Sequence, residues 1–195
     1  RTASRDGEVV AVVHDASAIS ANTSTRQRMG RTSPTCSTPC LFRDWPEAGR
    51  YGVILDAYVR LLTEEVGLRL PRHRHACFER PSGLPVFYII QDKVREEWIG
   101  HRALHHLPLE GVQALVLGVL RHLRKVWDFN ARQAHTRVAI DGQLSNWAIE
   151  GLDPDHLRAE EMALSYLDTS TPLFRVEGVE QLDPELFLRS APSFL

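Results

Sequence analysis

The sequence predicts an α+β fold whose helices and strands are segregated along the chain. Residues 46–66 and 109–127 place apolar side chains at helical spacing, and residues 86–90 form a continuous apolar run with β-branched and aromatic members. The predicted order is helix, hairpin, long helix, a second hairpin around a polar loop, then a short strand. That order lacks the alternation of a parallel βαβ sheet. A chain of 195 residues has room for one domain of ordinary size, and 43% hydrophobic residues suffice for a core.

Each element has its own signal. Val9 to Val13 fits a short strand, while the Ser/Thr/Arg-rich remainder up to Cys40 lacks periodicity. Residues 1–40 therefore read as a low-order segment, or as non-native sequence from a GC-rich gene. In residues 46–66 the apolar stripe is Tyr51, Ile54, Leu55, Tyr58, Leu61, Leu62 and Val66, with Gly67 as the stop. Residues 68–78 read as strand, 80–85 as turn and 86–90 as buried strand, which together predict an antiparallel hairpin. Residues 98–107 suggest a short helix. Leu109, Val112, Leu115, Val116, Val119, Leu120, Leu123, Val126 and Trp127 trace a broad apolar face on the longest helix. Residues 136–140, 141–146 and 147–149 read as strand, loop and strand. A further strand over 164–167 ends at Asp168, and Asp183-Pro-Glu starts a last helix.

Composition excludes several function classes. A formal net charge of -2 and a pI near 6.5 argue against a nucleic-acid partner. No apolar run approaches the roughly 18–20 residues that cross a bilayer, so no membrane association is expected. Cys36, Cys40 and Cys77 are an odd set, which argues against a disulfide framework and for a reducing cytoplasm. The first residues show no apolar leader. Lys93 and Lys125 are the only lysines, so a mechanism that needs one has two candidates.

The chemistry-bearing pattern lies late in the chain. Asp141-Gly-Gln-Leu-Ser-Asn146 spaces a carboxylate and a carboxamide across a loop, and Leu164-Ser-Tyr-Leu-Asp168 ends a strand in a second carboxylate. Kinase-type phosphotransferases build their site in this way. The first Asp orients the acceptor hydroxyl and takes its proton, while the Asn and second Asp hold Mg²⁺ against the ATP phosphates. Hard oxygen donors suit Mg²⁺, which keeps several waters.

On these segments, over roughly residues 48–172, the chain resembles the aminoglycoside phosphotransferase branch of the protein-kinase-like superfamily. The resemblance implies a two-lobed fold, incomplete at both ends. A partial small lobe and hinge would span 41–94 and a partial large lobe 95–195. It implies Asp141 as the catalytic group and Asn146 and Asp168 as Mg²⁺ ligands. Gln91, Asp92, Lys93 and Val94 would form the hinge beside the adenine of ATP, with Gln143 near the phosphates. The implied acceptor is a small-molecule hydroxyl. The chain is also similar to an uncharacterised bacterial family sharing DGQLSNW and YLDTSTPLFR.

The pattern also departs from the kinase-like one. Ala139-Ile140 precede Asp141, Thr169 follows Asp168, and neither a glycine-rich loop nor a lysine precedes the first helix. Arg43 is the nearest substitute cation. These departures define a second expectation, a kinase-like module that binds a nucleotide, or nothing, without turnover. A third is a plain α+β domain in which Asp141-Gly142 is a hairpin turn, Asp168 opens an Asx turn, and the two carboxylates lie far apart.

Other candidates are weaker. His73, His75 and Cys77 alternate onto one strand face, as metal ligands or simply as a solvated face. His101 and His105 stand four apart, and Arg121, Arg124 and Lys125 read as the wet side of the long helix. Trp98, Trp127 and Trp147 read as core. Ser145 lacks the G-x-S-x-G context of a nucleophile.

Overall fold

Asp44 starts the first helix. In the computed structural model, which describes residues 12–15, 42–150 and 162–190, its Oδ1 accepts the Glu47 N–H at 2.7 Å. Pro46 occupies the first turn, and α1 runs over Trp45–Arg60. A π-helical turn, Leu61–Glu65, extends it, and Gly67 ends it at φ 75°, as expected. The buried face carries Ala48, Tyr51, Leu55 and Tyr58, at the spacing of one helix face.

That face lies on an antiparallel sheet. Strand β2 (His73–Glu79) pairs with β3 (Pro85–Gln91), from His73↔Gln91 to Glu79↔Pro85. The predicted hairpin is present, although its first strand begins later than residue 68. Arg69 instead bridges to Ser165 across the fold. Strand β1 (Val12–Asp15) takes the other edge of β3, with Val12 opposite Gln91. The short strand expected at Val9 to Val13 is met at Val12–Asp15, and the rest of residues 1–40 lies outside the described residues.

Next come a short helix α2 (Gly100–Ala103) and the long helix α3 (Leu109–Arg132). The expected apolar face of α3 divides. Leu115, Val119 and Val126 are buried, whereas Leu109, Val116, Leu120 and Trp127 stay exposed. Trp127 is thus not a core residue. No helix among the described residues is long and apolar enough to cross a membrane.

The predicted second hairpin does not form. Strands β4 (Thr136–Val138) and β5 (Trp147–Glu150) each pair elsewhere, β4 with β7 (Phe174–Val176) and β5 with β6 (Ala163–Tyr166). Burial is the reason. Trp147, Ala148 and Ile149 are buried opposite Leu164, Ser165 and Tyr166, whereas β4 offers a single buried residue, Val138. Beyond β7 the chain turns through Glu177-Gly178, both at positive φ, into β8 (Val179–Glu180). Positive φ at both central residues is the type I′ hairpin geometry.

Two hydrophobic clusters result, and α1 contributes to both. Tyr51 and Leu55 join Phe42, Phe87 and Ile89, while Tyr58 and Leu62 join Leu115, Trp147, Leu164 and Tyr166. The last helix, α4 (Pro184–Ser190), adds Leu186 to the first cluster.

An ion pair ties α4 to α1. Arg189 grips the buried Glu47 carboxylate with Nη2 at 2.7 Å and Nη1 at 3.1 Å, and the Arg43 N–H adds a 2.6 Å bond. The Arg189 hydrogen bonds outweigh burial and hold the Glu47 carboxyl at about 2, down from 4.5. A depressed carboxyl lends stability above its unfolded value and loses it as pH falls through the folded value. Glu47→Gln should therefore cost about 3 kcal/mol near neutral pH. The gap to wild type should close between pH 4.5 and about 2. Urea unfolding at several pH values measures it, and a gap indifferent to pH would count against the ion pair.

Candidate functional site

The loop that follows α3 is set from the last turn of that helix. Asn130 imitates a neighbouring strand: its Nδ2 donates to the Val138 carbonyl at 2.8 Å and its Oδ1 accepts the Val138 N–H at 2.9 Å. Two residues along the chain are then held by buried phenols. The Tyr58 hydroxyl donates to the Ala139 carbonyl at 2.8 Å, and the Asp141 N–H donates to the Tyr166 phenol oxygen at 3.1 Å. Asp141 Oδ1 accepts the Gln143 N–H at 3.0 Å, and a 3₁₀ turn, Leu144–Asn146, leads into β5. Asp141-Gly142 thus opens an Asx turn and is not the tip of a hairpin.

Asp168 leaves the neighbouring strand beside this loop. The Leu167 N–H donates to the Asn146 carbonyl at 2.8 Å, which carries the β5–β6 ladder one step past Trp147↔Tyr166. Asp168 Oδ1 accepts the Ser170 N–H at 3.2 Å and the Ser170 hydroxyl at 2.8 Å, so the expected Asx turn is present. The Tyr51 hydroxyl donates to the Ser170 carbonyl at 2.6 Å.

The Tyr166 phenol feels the charge of both carboxylates. Burial pushes Tyr166 well above the ordinary tyrosine range, and the charges of Asp168 and Asp141 push it further. Burial also raises Tyr51 and Tyr58, and Asp168 acts on both. The Asp141 N–H bond to Tyr166 and the Leu167 N–H bond to Asn146 place the Asp141 and Asp168 loops side by side. Asp141, Asn146 and Asp168 thus stand on adjoining segments, two carboxylates and a carboxamide. Hard oxygen donors are the kind that Mg²⁺ takes, with one or two carboxylates beside substrate phosphates and water.

A family model matches residues 40–193, a span that includes α1 to α4 and both carboxylate loops. The chain belongs to DUF6206, a family of unknown function. The expected likeness to an uncharacterised family is met. No curated protein and no solved structure matches the chain.

The residues expected to form a hinge are partly committed elsewhere in this DUF6206 chain. Gln91 is buried, and its Nε2 donates to the Leu167 carbonyl at 3.0 Å and to Thr169 Oγ1 at 3.2 Å. Its side chain ties β3 to the Asp168 loop. The Asp92 N–H donates to the Arg72 carbonyl at 2.9 Å, and the Asp92 carboxylate pairs with Arg72 Nε at 2.9 Å. Lys93 is exposed, Val94 is half-buried, and the Gln143 side chain is exposed. Arg43, the nearest substitute cation, is paired with Glu47 and lies 3.5 Å from Glu185.

The remaining candidates have structural roles. The His73, His75 and Cys77 face packs against α1 and is not a solvated face. The His75 ring stacks on Phe87, and its Nε2 lies 3.2 Å from Asp56. Burial lowers the His73 pKa and raises that of Cys77. Among the described residues no three His, Cys, Asp or Glu groups are arranged to hold a metal. His101 and His105 do not share a helix, because α2 ends at Ala103. Arg124 pairs with Asp128, and Lys125 Nζ donates to the Gly67 carbonyl. Trp147 is core, while Trp98 is half-buried under the Arg95 guanidinium.

Gly100 sets the floor of the Asp141 loop in this DUF6206 chain. A Cβ there would run into the Leu144 carbonyl oxygen, so the 3₁₀ turn that leads to Asn146 must shift. Gly100→Ala should lower stability by about 1–3 kcal/mol. Scanning calorimetry should record a Tm lower by roughly 2–4 °C for each kcal/mol. A variant that melts with the wild type would show that α2 does not support the loop.

Proposed function

We propose that the corner of Asp141, Asn146 and Asp168 binds Mg²⁺ with the phosphates of ATP, and that the chain is a kinase-like phosphotransferase for a small-molecule hydroxyl. The observation that carries the reading is the Asp141 N–H bond to Tyr166, two residues before Asp168, with the Asn146 carbonyl bonded to Leu167 on the paired strand. The element order supports it. A helix, a strand pair, a connecting segment, a long helix, the Asp141 loop and then the β5–β6 pair, with Asp168 two residues past its end, follow one another in the order that the aminoglycoside phosphotransferase-like resemblance implies.

In this reading Asp141 orients the acceptor hydroxyl and takes its proton, while Asn146 and Asp168 hold the ion. The bound ion neutralises phosphate charge. With the Asp92 N–H committed, the adenine contacts fall to the Lys93 and Val94 backbone. The partners are small molecules rather than nucleic acid, in the cytoplasm that the cysteine count suggests.

The second reading is a degenerate kinase-like module that binds a nucleotide, or nothing, without turnover. The absence of lysine from β1 and the commitment of Arg43 to Glu47 favour it, because neither then supplies a phosphate-facing cation.

A thermal-shift titration with Mg²⁺-ATP tests both readings. A native-state ligand at one hundred times its Kd adds about 2.7 kcal/mol of stability. A Mg²⁺-dependent rise in Tm is expected for the wild type, with none for Asp168→Ala measured against its own ligand-free Tm. ADP release with a panel of small alcohols and amino sugars then separates enzyme from module. A wild type that is folded and shows no shift would reject the phosphotransferase and leave a module that binds no nucleotide.

A further inference from the structure

Tyr51 and Tyr58 stand at positions i and i+7 of α1, two turns apart on one buried face, about 10 Å along the axis. Both are almost fully buried, at 1% and 0% exposure. Each has one hydroxyl proton, and each donates it to a backbone carbonyl far away in sequence. Tyr51 reaches Ser170, two residues after Asp168, and Tyr58 reaches Ala139, two residues before Asp141. One rigid helix therefore holds both carboxylate loops at fixed points. Other contacts meet the same loops from other elements, Tyr166 on the Asp141 side and Gln91 on the Asp168 side. β6 also meets both, through Tyr166 and by running on to Asp168, whereas α1 bonds the two loops from outside the strands that carry them.

We propose that Tyr51 and Tyr58 are positioning residues: two pins on α1 that set the separation of the Asp141 and Asp168 loops and so tune the corner for its divalent cation. The proposal rests on the Mg²⁺-nucleotide reading above. The pins touch neither nucleotide nor acceptor in this scheme. They act through the backbone of the loops. Phenylalanine keeps each ring in place, and Tyr58→Phe removes in addition the hydrogen bond between the Tyr58 and Tyr166 hydroxyls. Tyr51 meets Phe87 edge-on at 5.0 Å between centroids, and Tyr58 stacks on Phe174 at 6.1 Å.

The experiment compares Tyr51→Phe and Tyr58→Phe in the full chain by two measurements. In ¹H–¹⁵N spectra, Tyr51→Phe should move the Thr171 amide and Tyr58→Phe the Ile140 amide, since each shares a peptide plane with a released carbonyl. In calorimetric titrations, each variant should need about tenfold more Mg²⁺ to reach half-maximal ATP binding. ATP affinity at saturating Mg²⁺ should change far less, a split that general destabilisation does not produce. Unmoved amides overturn the pins, and so does an unchanged Mg²⁺ requirement. If one variant fails to fold, the other decides. If the wild type binds no Mg²⁺-ATP, the functional reading falls, and the amide shifts alone uphold or overturn the pins.

Discussion

A phenol sealed inside a protein needs a partner for its proton, and leaving its acceptor unpaired costs about 1–3 kcal/mol. Much of the site in this chain follows from that constraint. Tyr51 and Tyr58 are buried on α1, so their hydroxyls must find acceptors within the fold. They find the Ser170 and Ala139 carbonyls, and those two bonds bring the Asp168 and Asp141 loops to one helix. Tyr166 closes the arrangement by accepting the Asp141 N–H from the β6 side.

The two hydrophobic clusters are organised around the same helix. Tyr51 and Leu55 pack towards Phe87 and Ile89 of β3, and Tyr58 and Leu62 pack towards α3, β5 and β6. The buried Gln91 amide gives a second link, from the end of β3 to the Leu167 carbonyl. At the other end of α1, Arg189 holds Glu47 and draws α4 onto the helix start. The site thus sits where a helix, a sheet and a β-hairpin are joined by polar bonds between buried groups. Such bonds are directional, so they fix geometry in a way that apolar packing alone does not.

Parts of this site are legible from residue order. Asp141, Asn146 and Asp168 stand out because a carboxylate, a carboxamide and a strand-ending carboxylate occur at a recognisable spacing. Both Asx turns follow from local chemistry, since an Asp side chain bonds the N–H two residues on wherever the backbone allows. The tyrosine pins are harder to read. A period count registers Tyr51 and Tyr58 as apolar stripe, and the signal that separates them is the hydroxyl itself, which predicts a distant acceptor without naming it. Gln91 is similar. Its place at the end of an apolar strand suggests a hinge, yet its burial turns the amide inward as a brace.

The sequence by itself determined the helices at 46–66 and 109–127, the turn-linked β2–β3 hairpin, the Gly67 stop and the carboxylates at strand and loop ends. Each of these depends on local periodicity, backbone preference or a short-range hydrogen bond. Only the tertiary structure decided how the later strands pair. An Asp-Gly dipeptide between two apolar segments looks like a hairpin, but β5 buries three residues against β6, while β4 has one buried residue to offer and joins β7. The same competition for burial divided the α3 face, covering Leu115 and Val119 and leaving Trp127 in solvent. Strand partners and helix faces are settled by which surfaces the whole chain can cover, a sum over contacts distant in sequence that no local window contains.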